Sequence, residues 1–197
     1  MVLPGNYEMT LTLGDSTTSA AVEVLKDPRS PYSTEELQAN LNSLVSLMNL
    51  RNVANTAVRK ILTARDDVDT ISKIIGNHLK TESSDELTAL KKQAAKIRKD
   101  LNGLEKLFRT PQNTKGITYS GDTVNSKLGT AGFYIGSNNG APSPASLTYI
   151  SIAEKALADA AEKVNAYLTG DLAGFSKNVK DAGIMLLPVV EPVKLTK

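Results

Sequence analysis

Tyr7, Met9, Leu11 and Leu13 alternate with Asn6, Glu8, Thr10 and Thr12. An extended segment with that spacing puts apolar side chains on one face and polar ones on the other, which predicts a half-buried strand. Gly14-Asp15-Ser16 is a turn signal, and Ala20 to Leu25 reads as a return strand around Val22 and Val24. The pair is a β-hairpin. Isolated hairpins are marginal in water, so its apolar face is expected to rest on the helices that follow or on a sheet elsewhere in a larger protein.

The period then changes from two to between three and four. Asp27-Pro28-Arg29-Ser30-Pro31 is a linker in which each proline disfavours helix at the residue before it. Ser33 with Glu36 three residues on has capping-box spacing and opens a long helix. Its stripe runs through Leu37, Leu41, Leu44 and Met48, slips near 50–53, and resumes at Ala54, Val58, Ile61, Arg65, Val68, Ile71 and Ile75. Gly76-Asn77 is the expected stop, giving a helix of about 60 Å at 1.5 Å per residue. Ser83 or Ser84 caps a second helix whose seam is Leu87, Leu90, Ala94, Ile97, Leu101, Leu104 and Phe108, closed by Pro111.

Residues 111–143 are rich in glycine. Val124, Leu128, Ala131 and Ile135 nevertheless keep helical spacing, which predicts a short third helix with Asp122 at its start. Ser143-Pro144 begins a fourth helix with the stripe Ile150, Ala153, Leu157, Ala160, Val164 and Tyr167. Gly170-Asp171 is expected to break it. A last short helix follows with Leu172, Phe175 and Val179 and ends at Gly183; the apolar tail from Ile184 to Val190 is expected to pack as an extended segment. The predicted fold is mainly α: an antiparallel up-down bundle of three to four long helices preceded by a small hairpin, with 1–29 as the β-unit and 30–197 as the bundle.

Composition removes more chemistry than it suggests. The 197 residues include no Cys, one His and no Trp, and the net charge is +2. Thiolate catalysis, disulfides and thiolate metal sites are excluded. His78, at a predicted helix end, reads as a solvent-facing residue that complements the helix dipole. Asp66, Asp67 and Asp69 lack the glycine and terminal glutamate of a calcium loop and read as a solvated face paired with Arg65 and Lys73. The glycine-rich segment contains no dinucleotide or nucleoside-triphosphate fingerprint. No catalytic residue, cofactor or metal site is therefore predicted, and the chain is not expected to be an enzyme.

Two ligand-binding candidates remain. Tyr134, Asn138 and Asn139 are candidates to line a groove between helices. Lys91, Lys96 and Lys99, with Lys92, Arg98, Lys106 and Arg109, make the second helix basic and would suit an anionic partner. The bland reading of those cations is the outer face of a bundle helix, diluted by Asp100 and Glu105; no nucleic-acid motif accompanies them, so nucleic acid is not an expected partner. No run reaches the roughly 18 apolar residues of a membrane span. The N-terminus shows no basic stretch followed by an apolar run, as a signal peptide would.

The stretch PGNYEMTLTLG, then VEVLKDPR, then the helix-opening STEELQANLNSLVSLMNLRNVANTAVRKI, resembles the C-terminal region of bacterial secreted BNR-repeat, sortilin-like propeller proteins, often described as glycosyl-hydrolase-like. Pro4, Gly5, Tyr7, Asp27, Pro28 and Arg29 carry the likeness, and NNGAPSPASLTYISIAEKAL is similar to the last long helix of that tail. The resemblance implies a parent chain with a large N-terminal propeller, export to the periplasm or cell exterior, and a hairpin that ends a β-sandwich-like unit truncated here. It carries no catalytic residue onto this sequence. The expected function is a non-catalytic accessory or interaction module. Its expected partners are the preceding domains of the same parent chain, another protein, or a second copy through the helix seams. The alternatives are a module for an anionic or glycan-like ligand and a hydrolase-associated domain.

Overall fold

The computed structural model describes residues 2–81, 83–111, 114–116 and 121–184. The fold is mainly α, a helical bundle preceded by a β-hairpin. Strands β1 (Gly5–Leu13) and β2 (Ser16–Val24) pair antiparallel and form a two-stranded sheet. The helices are α1 (Thr34–Thr81), α2 (Asp85–Phe108), α3 (Val124–Gly136), α4 (Pro144–Tyr167) and α5 (Ala173–Asp181), with one π-helical turn at Leu168–Leu172.

The hairpin turn is tighter than the sequence suggests. Leu13 already pairs with Ser16, so only Gly14 and Asp15 lie in the loop, and β2 starts four residues before the expected Ala20. Gly14 adopts φ +60°, the left-handed conformation that two-residue hairpin turns require. Thr12 and Thr17 face each other across the strands with hydroxyl oxygens 3.4 Å apart. The linker is held locally: Asp27 accepts from the Arg29 backbone N–H at 2.9 Å and from both Nε and Nη2 of the same arginine, at 3.1 and 3.0 Å.

Compactness divides the chain into two units. The first comprises Met1–Asn52 and Ser126–Lys155. Here Leu47, Leu128, Ala131, Ile135, Ile150 and Ala153 form the core. The capping box at Ser33 forms as predicted: Ser33 Oγ accepts from the Glu36 N–H at 3.2 Å, and Glu36 Oε2 accepts from the Ser33 N–H at 2.7 Å. Ser143 caps α4, accepting from the Ser146 N–H at 3.1 Å. Met48 was placed on the α1 stripe by spacing, but it is exposed; Asn40 and Leu47 take the buried positions.

The second unit comprises Val53–Asn125 and Ala156–Lys197. Its core is Val58, Ile61, Val68 and Ile75 of α1, Ile97, Leu101 and Phe108 of α2, Val164 of α4, and Phe175 and Val179 of α5. Ser84 is the α2 N-cap, accepting from the Leu87 N–H. Two expected breaks are absent. Helix α1 runs through Gly76 to Thr81, because stopping there would forfeit the turn that carries half-buried Leu79. A glycine inside a helix costs only about 1 kcal/mol. Gly170-Asp171 likewise does not break the helical path: α4 ends at Tyr167 and the π turn, which contains both residues, leads directly into α5. Gly183, at φ +69°, is the true stop. The expected packing of the tail lies outside the described residues beyond Ile184.

Candidate functional site

The glycine-rich turn between α3 and α4 is occupied by structural contacts. Buried Asn40 donates through Nδ2 to the Asn138 carbonyl at 2.8 Å and to the Gly140 carbonyl at 3.0 Å, with the Ile135 carbonyl at 3.5 Å. One amide thereby satisfies carbonyls at the end of α3 that have no helical partner. Asn138 turns its own Oδ1 onto the Gly140 N–H at 3.0 Å and its Nδ2 toward the Ala141 carbonyl at 3.4 Å. Gly140 is required by close approach, since a Cβ there would sit 2.5 Å from the Tyr32 ring. Tyr134 stacks on Tyr149 with ring centroids 4.3 Å apart, and its carbonyl accepts from Ser146 Oγ at 3.1 Å. Of the three groove candidates, Tyr134 and Asn138 are engaged in the fold and Asn139 is exposed.

The lysine candidates fall on α2, in the other unit. Lys96 pairs with Asp100 at 2.8 Å, while Lys91 and Lys99 are exposed. Two further cations of this helix are also matched by acids: Arg98 to Asp69 at 2.9 Å, and Arg109 to Glu105 at 2.9 Å. Asp69 thus pairs across to Arg98 of α2 rather than with the expected Arg65 or Lys73, and Arg65 is committed to Glu105. Asp66, Asp67 and His78 are exposed.

Glu105 was read as a surface acid, and that reading is corrected: it is 1% exposed. Its Oε2 accepts from Arg65 Nη1 at 2.8 Å and its Oε1 from Arg109 Nε at 3.0 Å, so two guanidiniums compensate one dry carboxylate. Arg65 Nη1 also donates to Asn102 Oδ1 at 3.1 Å. The signal was present in the spacing: position 105 lies four after Leu101 and three before Phe108, squarely on the seam. Nearby on the same helix, Tyr167 of α4 donates its hydroxyl to Asp100 Oδ2 at 3.1 Å. Burial first, and then the Asp100 charge, push the Tyr167 phenol well above its ordinary value. The Lys96 hydrogen bond chiefly, with help from Tyr167, holds Asp100 below the usual carboxylate range. These groups tie α1, α2 and α4 together within their unit; each is matched to a partner.

The hairpin, by contrast, presents an uncovered apolar face. Met9, Leu11 and Leu13 are 64%, 67% and 81% exposed, and Tyr7 and Val22 lie on the same face. Tyr7 reaches only the carbonyl of Leu3, at 2.8 Å. Of the two supports expected for this face, the helices that follow or a sheet elsewhere, the helices do not cover it: Met9, Leu11 and Leu13 stay open to solvent. Each strand also has one edge without a pairing strand among the described residues.

Among the described residues no group of three or more His, Asp or Glu is placed to hold a metal ion, and no helix is long and apolar enough to cross a membrane. Comparison with family models, with curated proteins and with solved structures finds no match.

Proposed function

We propose that this chain is a non-catalytic interaction module of a larger exported protein, and that the hairpin is its docking element. The occupant is a β-rich domain of the same parent chain. The observation that carries the reading is the uncovered hairpin: two nine-residue strands with an exposed apolar face and, among the described residues, open edges. A free edge is a template for strand addition, and an apolar face adds affinity once it is covered. The resemblance of the opening segment to the end of a β-unit supplies the partner's class.

Hydrogen exchange tests this directly. Amides of residues 5–24 are expected to gain protection when the chain is joined to, or mixed with, the preceding domain of its parent. Unchanged exchange overturns the docking role. Hydrolysis of a glycan or peptide by the purified chain, abolished by one substitution within it, would overturn the non-catalytic part.

A further inference from the structure

A groove of about 660 Å³ lies within the second unit. That volume is within the usual range for a small-molecule site, roughly 300–1,000 Å³. Its floor is made by Ala64, Val68 and Ile71 on α1 and by Leu168, Leu172 and Phe175 across from them. Leu168 and Leu172 bound the π turn, a feature that recurs at functional positions in helices.

The groove has a direction. Arg59 and Lys60, with the hydroxyls of Thr56 and Thr63, line the end nearer the start of α1, and the apolar residues follow from position 64 onward. Arg59 and Ile71 are separated by about 18 Å of helix at 1.5 Å per residue. Side chains on a helix lean toward its N-terminus, and the lean displaces the long side chains of Arg59 and Lys60 further than it does the short ones of Ala64 and Val68. Neither cation has an acidic partner among the described residues, whereas Arg65, one turn on, is committed to Glu105. Asp67 stands beside the apolar part. An anionic head placed there would meet a like charge, so the two ends are not interchangeable.

We propose that this groove binds a single-chain amphiphile with an anionic head, of the long-chain carboxylate class. The carboxylate sits on Arg59 and Lys60, and the alkyl chain lies over Ala64, Val68, Ile71, Leu168, Leu172 and Phe175. This site is independent of the hairpin and goes beyond the docking role.

Titration calorimetry of the full chain with laurate, kept below its micelle threshold, tests the assignment. One laurate per chain is expected, with affinity rising from octanoate to decanoate to laurate. Dodecanol is expected to bind about tenfold more weakly, the scale of one lost charge-assisted hydrogen bond. The double charge reversal R59E/K60E should weaken laurate by at least that factor while leaving dodecanol unchanged, which also shows that the groove still folds. The milder Lys60→Gln should give a smaller loss in the same direction. Absence of saturable laurate binding overturns the proposal. So does equal affinity for laurate and dodecanol, or laurate binding that is indifferent to both charge variants.

Discussion

Removing one of the two arginines on Glu105 leaves the carboxylate with a single guanidinium in a dry site; removing both leaves it with none. The first loss is tolerable because the remaining hydrogen bonds still carry the charge. The second strands a buried charge, which costs about 3–5 kcal/mol in comparable pairs. Arg65→Ala and Arg109→Ala are therefore expected to destabilise the chain by about 1–2 kcal/mol each, from lost charged hydrogen bonds. The double variant should lose more than their sum. Urea unfolding of the four proteins measures the coupling; strict additivity would show that the two arginines do not share one load. Asn40 works in the same way in the other unit, one buried amide serving the carbonyls of Asn138 and Gly140.

At the scale of elements, the contact between α2 and α4 sets a pH response. Tyr167 is raised, so the folded chain keeps its phenol protonated where the unfolded chain has lost the proton. The stability tied to this group is full below the ordinary value of 10.0 and falls as pH climbs past it. Asp100 is lowered, so its contribution is present above the ordinary carboxylate value of 3.8 and is lost as pH falls through the depressed one. Melting temperature measured from pH 8 to 11.5 should decline, and Tyr167→Phe should flatten that decline while starting lower at pH 8 from the lost hydrogen bond. An unchanged alkaline slope in the variant would place the decline elsewhere.

The elements themselves were largely legible in the sequence. Period-two alternation placed β1, the Ser33 and Ser143 caps placed the starts of α1 and α4, and four residues at helical spacing placed α3 inside a glycine-rich stretch. What spacing did not reveal was energetic competition. Gly76 and Gly170 look like stops, and neither outweighs the continued packing around it. Glu105 and Asn40 look like surface residues, and each is buried because partners distant in sequence satisfy it.

For the whole molecule, the open hairpin has consequences that do not depend on any partner's identity. A substitution on a face already in water removes no core contact, so Leu11→Lys and Leu13→Lys should each leave the melting temperature of the chain within about 2 °C, as surface changes usually stay within ±0.5 kcal/mol. The same face in the native sequence joins exposed Met9, Leu11 and Leu13 to a strand edge with no pairing strand among the described residues, the arrangement that drives strand-to-strand association. Sedimentation velocity over a concentration series should thus show reversible association of the native chain, absent in the double lysine variant. Joining the chain to the β-rich domain proposed as its occupant should suppress association in the native sequence as well, because both processes would compete for one surface. If the lysine variant also lowers the melting temperature by several degrees, the face is part of the fold's own core and the hairpin is no docking element. If association persists in that variant, the helices carry it, and self-assembly through their seams becomes the reading to pursue.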